Sequence, residues 1–198
     1  MNIQKTMGFS TFSTTRESEI RYEIKKGVLM DALQSELIKI KDRIIIEQRW
    51  IIDQDKCRGR IRKTRLFNSP ENSIFNFPLK KYAQIAEQKG IFNFSLDKEE
   101  IISIYEHTVK HSFEKDVDLE VTTVLDMTDF ALLNRLYKDI PIQKKTRLIL
   151  SDLSGEYDDY IITADIPEDK PEICWIEFES KNGHVNKEFF KEPKWISK

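Results

Sequence analysis

The chain has 198 residues, 39% of them hydrophobic and 33% charged, with 32 basic against 34 acidic residues and a net charge of −2. Such a composition is that of a globular protein and excludes a disordered chain, while near-neutrality excludes a global field that would draw the protein to nucleic acid. No apolar run approaches the roughly 20 residues of a membrane helix, and "MNIQKTMGFSTF" has no apolar signal core. With Cys57 and Cys174 the only cysteines, a disulfide framework is not supported. The expectation is a soluble, cytoplasmic protein without a membrane partner, its cysteines serving packing.

In chain order, "RESEIRYEIK" (16–25) alternates charged with mostly apolar residues and predicts a strand. Gly27 breaks it, and "VLMDALQSELIKIKD" (28–42) has helical spacing at Leu29, Leu33, Leu37 and Ile40. "RIIIEQRWIID" and "CRGRIRKTRL" predict a hairpin over 44–66, turning between Asp53 and Lys56. Next come a loop at "NSPENS", a strand running into a helix over 75–90, and a helix over 95–113 capped by Ser95. "VDLEVTTVLD" is a strand and "TDFALLNRLYKD" a helix capped by Thr128. "QKKTRLIL", "DYIITADI" and "ICWIEFES" are three further strands, and "NKEFFKEPKWISK" a short helix broken at Pro193.

Many strands without a βαβ rhythm predict an α+β fold: an antiparallel β-barrel with helices packed outside. A single domain over 1–198 is expected, enlarged by helices at about 67–118.

On a strand, alternate residues share a face. The first strand thereby groups Glu17, Glu19 and Arg21; the basic strand Arg58, Arg60 and Arg62; later strands Lys145 with Arg147, Thr163 with Asp165, and Glu177 with Glu179. For one strand alone, solvated surface is the ordinary reading. Taken together and turned inward, these faces would line a barrel too charged to be dry, so its interior would be a hydrated tunnel. Carboxylates bind hard divalent cations, and Arg and Lys grip phosphate oxygens. A metal-bound triphosphate satisfies both sets. By parity Glu120 belongs either to the tunnel or to the surface. His107 and His111, four apart on the expected helix, have no third metal ligand nearby and read as surface.

These residues resemble the CYTH, or triphosphate tunnel metalloenzyme, superfamily. Glu17-Ser18-Glu19-Ile20-Arg21 is similar to its ExExK motif, with Arg in the Lys position, and Phe12 stands where the longer class IV adenylate cyclase signature has its Phe. "RGRIRK" resembles the family's RxR strand, "QKKTRL" its KTR strand, "ITADIP" its acidic strand and "WIEFES" its late ExE strand.

The resemblance implies Mg²⁺ or Mn²⁺ held by Glu17, Glu19, Asp165, Glu177 and Glu179. It implies phosphate contacts from Arg21, Arg60, Arg62, Lys145 and Arg147, with Lys80 as the central-strand lysine. Glu17, Glu19, Arg21 and Glu179 would be catalytic. The implied activity is cleavage of the terminal phosphate of tripolyphosphate, thiamine triphosphate or a nucleoside or RNA 5′-triphosphate. Two alternatives stay open: a class IV-type adenylate cyclase, and a non-catalytic protein that binds phosphorylated ligands or a partner. Oligomeric state is not implied.

Overall fold

The computed structural model describes residues 12–17, 19–67, 100–114, 117–180 and 190–197. They form strands β1 (Phe12–Glu17), β2 (Glu19–Lys25), β3 (Ile38–Gln54), β4 (Cys57–Phe67), β5 (Glu100–Glu114), β6 (Val117–Leu125), β7 (Gln143–Asp152), β8 (Tyr160–Pro167) and β9 (Ile173–Ser180). Two helices accompany them, α1 (Lys26–Gln34) and α2 (Met127–Leu136). None is long and apolar enough to cross a membrane.

All nine strands belong to one sheet, ordered β1-β6-β5-β4-β3-β7-β8-β9-β2, and every pairing is antiparallel. Laid flat, nine strands would put the two edges roughly 38 Å apart. Here the edge strands are β1 and β2, which a single residue joins in sequence. The two edges therefore meet, and the sheet curls into a tunnel-like barrel. The sheet is not closed by hydrogen bonds, because β1 and β2 pair with β6 and β9 and not with each other.

The apolar core lies on the outer wall. Ile24, Leu148, Leu150, Ile162, Ala164, Cys174, Ile176 and Phe178 pack with Leu29 and Ala32 of α1 and with Trp195 and Ile196 near the C-terminus. Phe178 is fully buried and meets the rings of Tyr22, Tyr157, Tyr160 and Phe190. On β9 the alternate residue Glu177 turns the other way. The period of two thus separates an apolar outer face, covered by α1 and 190–197, from a charged inner one.

Three expectations need correction. The helix predicted over 95–113 is strand β5 from Glu100 onward: the i, i+4 spacing of His107 and His111 satisfies period 2 as well as period 3.6, and β4 and β6 supply its backbone partners. The first helix ends at Gln34, and "IKIKDRIII" starts β3 at Ile38, where β-branched residues favour strand. Asp126, not Thr128, caps α2, its carboxylate accepting from the Asp129 N–H at 2.7 Å. The hairpin turn at Asp55 and Lys56 and the strands at β6 to β9 are as expected. Lys80 and the elements expected at 68–99 lie outside the described residues, as does most of the C-terminal helix. Its part at 190–197 holds a turn at 194–196 and no helix.

Candidate functional site

Residues directly opposite each other in an antiparallel ladder share a face, so the register assigns the inner wall. Glu19 faces Glu179 and Arg21 faces Glu177 across β2–β9, while Asp165 faces Arg147 across β8–β7. Arg147 and Lys145 lie opposite Ile44 and Ile46 of β3, whose Gln48 and Trp50 lie opposite Arg62 and Arg60 of β4. Beyond β4, Arg62 faces Glu106 and Arg60 faces Thr108, and Lys110 faces Glu120 on β6. Glu17, placed by backbone register alone, is opposite Asp118. Glu19, Arg21, Arg60, Arg62, Lys145, Arg147, Asp165, Glu177 and Glu179 therefore share one face by register.

Side chains on that face are bonded in two groups. In the first, Arg147 donates from Nε to Asp165 Oδ1 (2.6 Å) and from Nη2 to Asp165 Oδ2 (2.7 Å) and Glu177 Oε2 (2.7 Å). Lys145 also bonds Asp165, Arg21 also bonds Glu177, and Arg21 Nη2 lies 3.9 Å from Glu19. The second group centres on Glu120, which Lys110 Nζ approaches at 3.0 Å, Arg60 at 3.8 Å and the Thr122 hydroxyl, donating, at 2.9 Å. Arg60 also lies over the Trp50 ring at 5.4 Å. Arg58 leaves the tunnel wall: it is exposed, 3.7 Å from Asp53.

Burial works against the charges of Asp165, Glu177, Glu120 and Arg147, and the partners decide the outcome. Asp165, 1% exposed, would be raised by desolvation, but Arg147 and Lys145 hold it well below the carboxylate range. Glu177 is lowered against its burial by Arg147, with Arg21 and Lys145 adding to the effect, and Glu120 falls to about 2 through Lys110 and Arg60. Arg147, burdened by the same desolvation, is raised by Asp165 and Glu177.

Arg62 is the exception. Among the described residues no carboxylate lies within ion-pair distance of it, and its Nε has no hydrogen-bond partner. Desolvation, with the like charges of Arg60 and Arg147, pushes its pKa down to about 10. It keeps partial solvent access although protein surrounds it, as a side chain facing a lumen does. A buried guanidinium without a counterion is costly until an anion arrives.

Lys145 stands beside it electrically. Desolvation, then Arg147, lowers its pKa to about 8. Phosphate favours the ammonium form, so affinity is full below about pH 8 and falls as pH rises through that value, by at most about tenfold per unit. Calorimetric titration with tripolyphosphate from pH 7 to 9.5 should show this fall, and Lys145→Arg should flatten it.

For a metal the donor chemistry fits in part. Glu19 and Glu179 are direct cross-strand partners, a like-charge arrangement that is unfavourable unless a cation joins it. Oxygen donors of this kind suit Mg²⁺ or Mn²⁺. Yet among the described residues no three His, Cys, Asp or Glu side chains gather as a metal-binding group. Asp165 and Glu177, assigned to metal by resemblance, are occupied by cationic side chains.

Residues missed in the sequence are Glu106, Thr108 and Lys110, all on β5. The signal was there in "IYEHTVK", which alternates as a strand and is rich in Ile, Tyr, Thr and Val. Lys110 stands in the wall on the strand that follows Arg60 and Arg62. Glu120, open between tunnel and surface, lies in the tunnel wall.

No family model matches the chain, and no curated protein does. Solved structures to which it is similar include a "putative adenylate cyclase" from Bacillus halodurans, with 14% identity over 85% of this chain and 82% of that one and a TM-score of 0.49. A Pyrococcus horikoshii OT3 protein shares 17% identity over 91% and 82%, with a TM-score of 0.48. The Mimivirus capping enzyme triphosphatase shares 13% over 86% and 83%, with a TM-score of 0.39.

Proposed function

We propose that the protein is a metal-dependent phosphohydrolase that removes the terminal phosphate of a triphosphate. The observation that carries this reading is Arg62, an enclosed cation without an ion-pair partner among the described residues, set in a tunnel wall with Arg60, Lys145 and Arg147. A phosphate chain is the anion whose charge and extended shape match four cations on β4 and β7, the two strands flanking β3, with the Arg forks donating to its oxygens pairwise.

Asp165 and Glu177 hold Arg147, Lys145 and Arg21 in position for that chain. Arg21, half exposed, reaches Glu177 with a fork that the compact ammonium of the hallmark lysine does not offer. Glu19 and Glu179, with Glu17, would hold the Mg²⁺ or Mn²⁺ ion. Such an ion supplies charge neutralisation of phosphate oxygens. The cationic cluster stabilises the negative charge that builds on the leaving diphosphate, and water is the nucleophile.

The organic group on the substrate is tested by a panel of tripolyphosphate, thiamine triphosphate, ATP and a 5′-triphosphorylated RNA, each with Mg²⁺ and with Mn²⁺. Orthophosphate release from at least one of them is expected. Cyclic AMP and diphosphate from ATP would replace this reading by the cyclase. A second, non-catalytic reading has one observation in its favour, the neutralisation of Asp165 and Glu177 by cations. Binding of every triphosphate without product over hours would establish it.

Charge removal at the proposed metal pair gives a further expectation. Glu19→Gln with Glu179→Gln should abolish the Mg²⁺ dependence of turnover and lower kcat by about two to three orders of magnitude.

A further inference from the structure

The carboxylates of the inner wall differ in one respect that bears on catalysis. Asp165, Glu177 and Glu120 are each bonded to cations, and all three are held below the ordinary carboxylate range. A carboxylate so stabilised is a poor proton acceptor. Glu19 sits 3.9 Å from Arg21 and is 39% exposed, and with Glu179 it belongs to the pair assigned to metal. Glu106 is different: it is 8% exposed, its inward register position lies directly opposite Arg62, and no described residue gives it an ion pair or hydrogen bond.

We propose that Glu106 is the general base of the reaction, accepting the proton of the water that attacks the terminal phosphorus. The proposal rests on the phosphohydrolase reading above. Its geometric basis is adjacency: cross-strand partners have Cβ atoms about 5 Å apart, so the terminal phosphoryl group bound by Arg62 lies within one water of the Glu106 carboxylate. Val124, on the other side of Glu106 across β5–β6, is apolar and offers it no proton.

In the step, the water oxygen forms a bond to the terminal phosphorus as the bond from that phosphorus to the bridging oxygen breaks. The electron pair of the broken bond stays on the diphosphate, beside Arg62, Arg147 and Lys145. The water proton passes to the Glu106 carboxylate, which later releases it to solvent, so the products are diphosphate, orthophosphate and one proton.

The test uses the full chain with whichever triphosphate of the panel is turned over fastest, and Mg²⁺. Glu106→Gln should lower kcat by about a hundredfold or more, leave KM and the calorimetric Kd for tripolyphosphate within about threefold, and remove the acidic limb of the kcat–pH profile. Glu106→Asp, which keeps a carboxylate, should retain that limb and part of the rate. It also serves as the folded control if the Gln variant proves unstable.

An unchanged kcat in Glu106→Gln would overturn the proposal. So would a Kd raised together with a falling kcat, since that marks a residue positioning Arg62. So would an acidic limb that persists in the Gln variant. If the wild-type protein binds tripolyphosphate but hydrolyses nothing, the phosphohydrolase reading itself fails, a different result from an active wild type indifferent to Glu106.

Discussion

Arg62→Met is expected to move binding and stability in opposite directions. The substitution removes the cation most free to meet a phosphate chain, and loss of a buried charge-assisted contact of this kind costs about 3 kcal/mol, roughly a hundredfold in the Kd for tripolyphosphate. Without an ion pair to any described carboxylate, the same guanidinium carries a desolvation penalty that the charges of Glu106 and Glu120 offset only in part. Replacing it with an apolar side chain of similar length should therefore raise the unfolding free energy by about 1–2 kcal/mol and the melting temperature by a few degrees. Calorimetry and thermal unfolding on one preparation measure both. A side chain kept for packing alone would lose stability and leave binding untouched.

Arg147→Met should do the reverse to the fold. Its guanidinium bonds both oxygens of Asp165 and one of Glu177, and Asp165 is almost completely buried. Removing it leaves Asp165 with Lys145 alone and Glu177 with Arg21 alone, and breaking a buried pair of this kind costs about 3–5 kcal/mol. Chemical denaturation should show that loss at pH 7. The loss should shrink as pH falls: Asp165 and Glu177 have pKa values depressed by their partners in the wild type, so the stability they contribute is present above the ordinary carboxylate range and disappears as they protonate. Two arginines of one tunnel wall would then have opposite effects on stability, separated by whether a carboxylate is bonded to them.

The wall was legible in the sequence wherever period 2 ran unopposed. Lys145, Arg147, Asp165, Glu177 and Glu179 all stand on the inner face by register, as do Arg60 and Arg62. Alternation reads well there because the other face of each strand is visibly apolar, as in Leu148, Ala164 and Phe178. It failed on β5, where Ile104, Tyr105, Thr108 and Val109 lie close enough together to imitate a helical stripe and the acidic run at Asp97–Glu100 imitates a helix start. Burial settles the period: Ile104, Glu106 and Thr108 are buried on one face and Tyr105 on the other, so the strand is covered on both sides. Nor could the sequence show which carboxylates are spoken for. That depends on cross-strand pairing, which joins Arg21 to Glu177 over 156 positions of chain.

The reading stands or falls on whether the lumen takes a phosphate chain. Calorimetric titration of the intact protein with orthophosphate, diphosphate and tripolyphosphate, at pH 7 and fixed ionic strength with Mg²⁺, measures this directly. The expected result is one site, with affinity rising steeply along the series as each added phosphate reaches a further cation of the Arg60, Arg62, Arg147 and Lys145 group. Absence of binding, or equal affinity for all three anions, would contradict it.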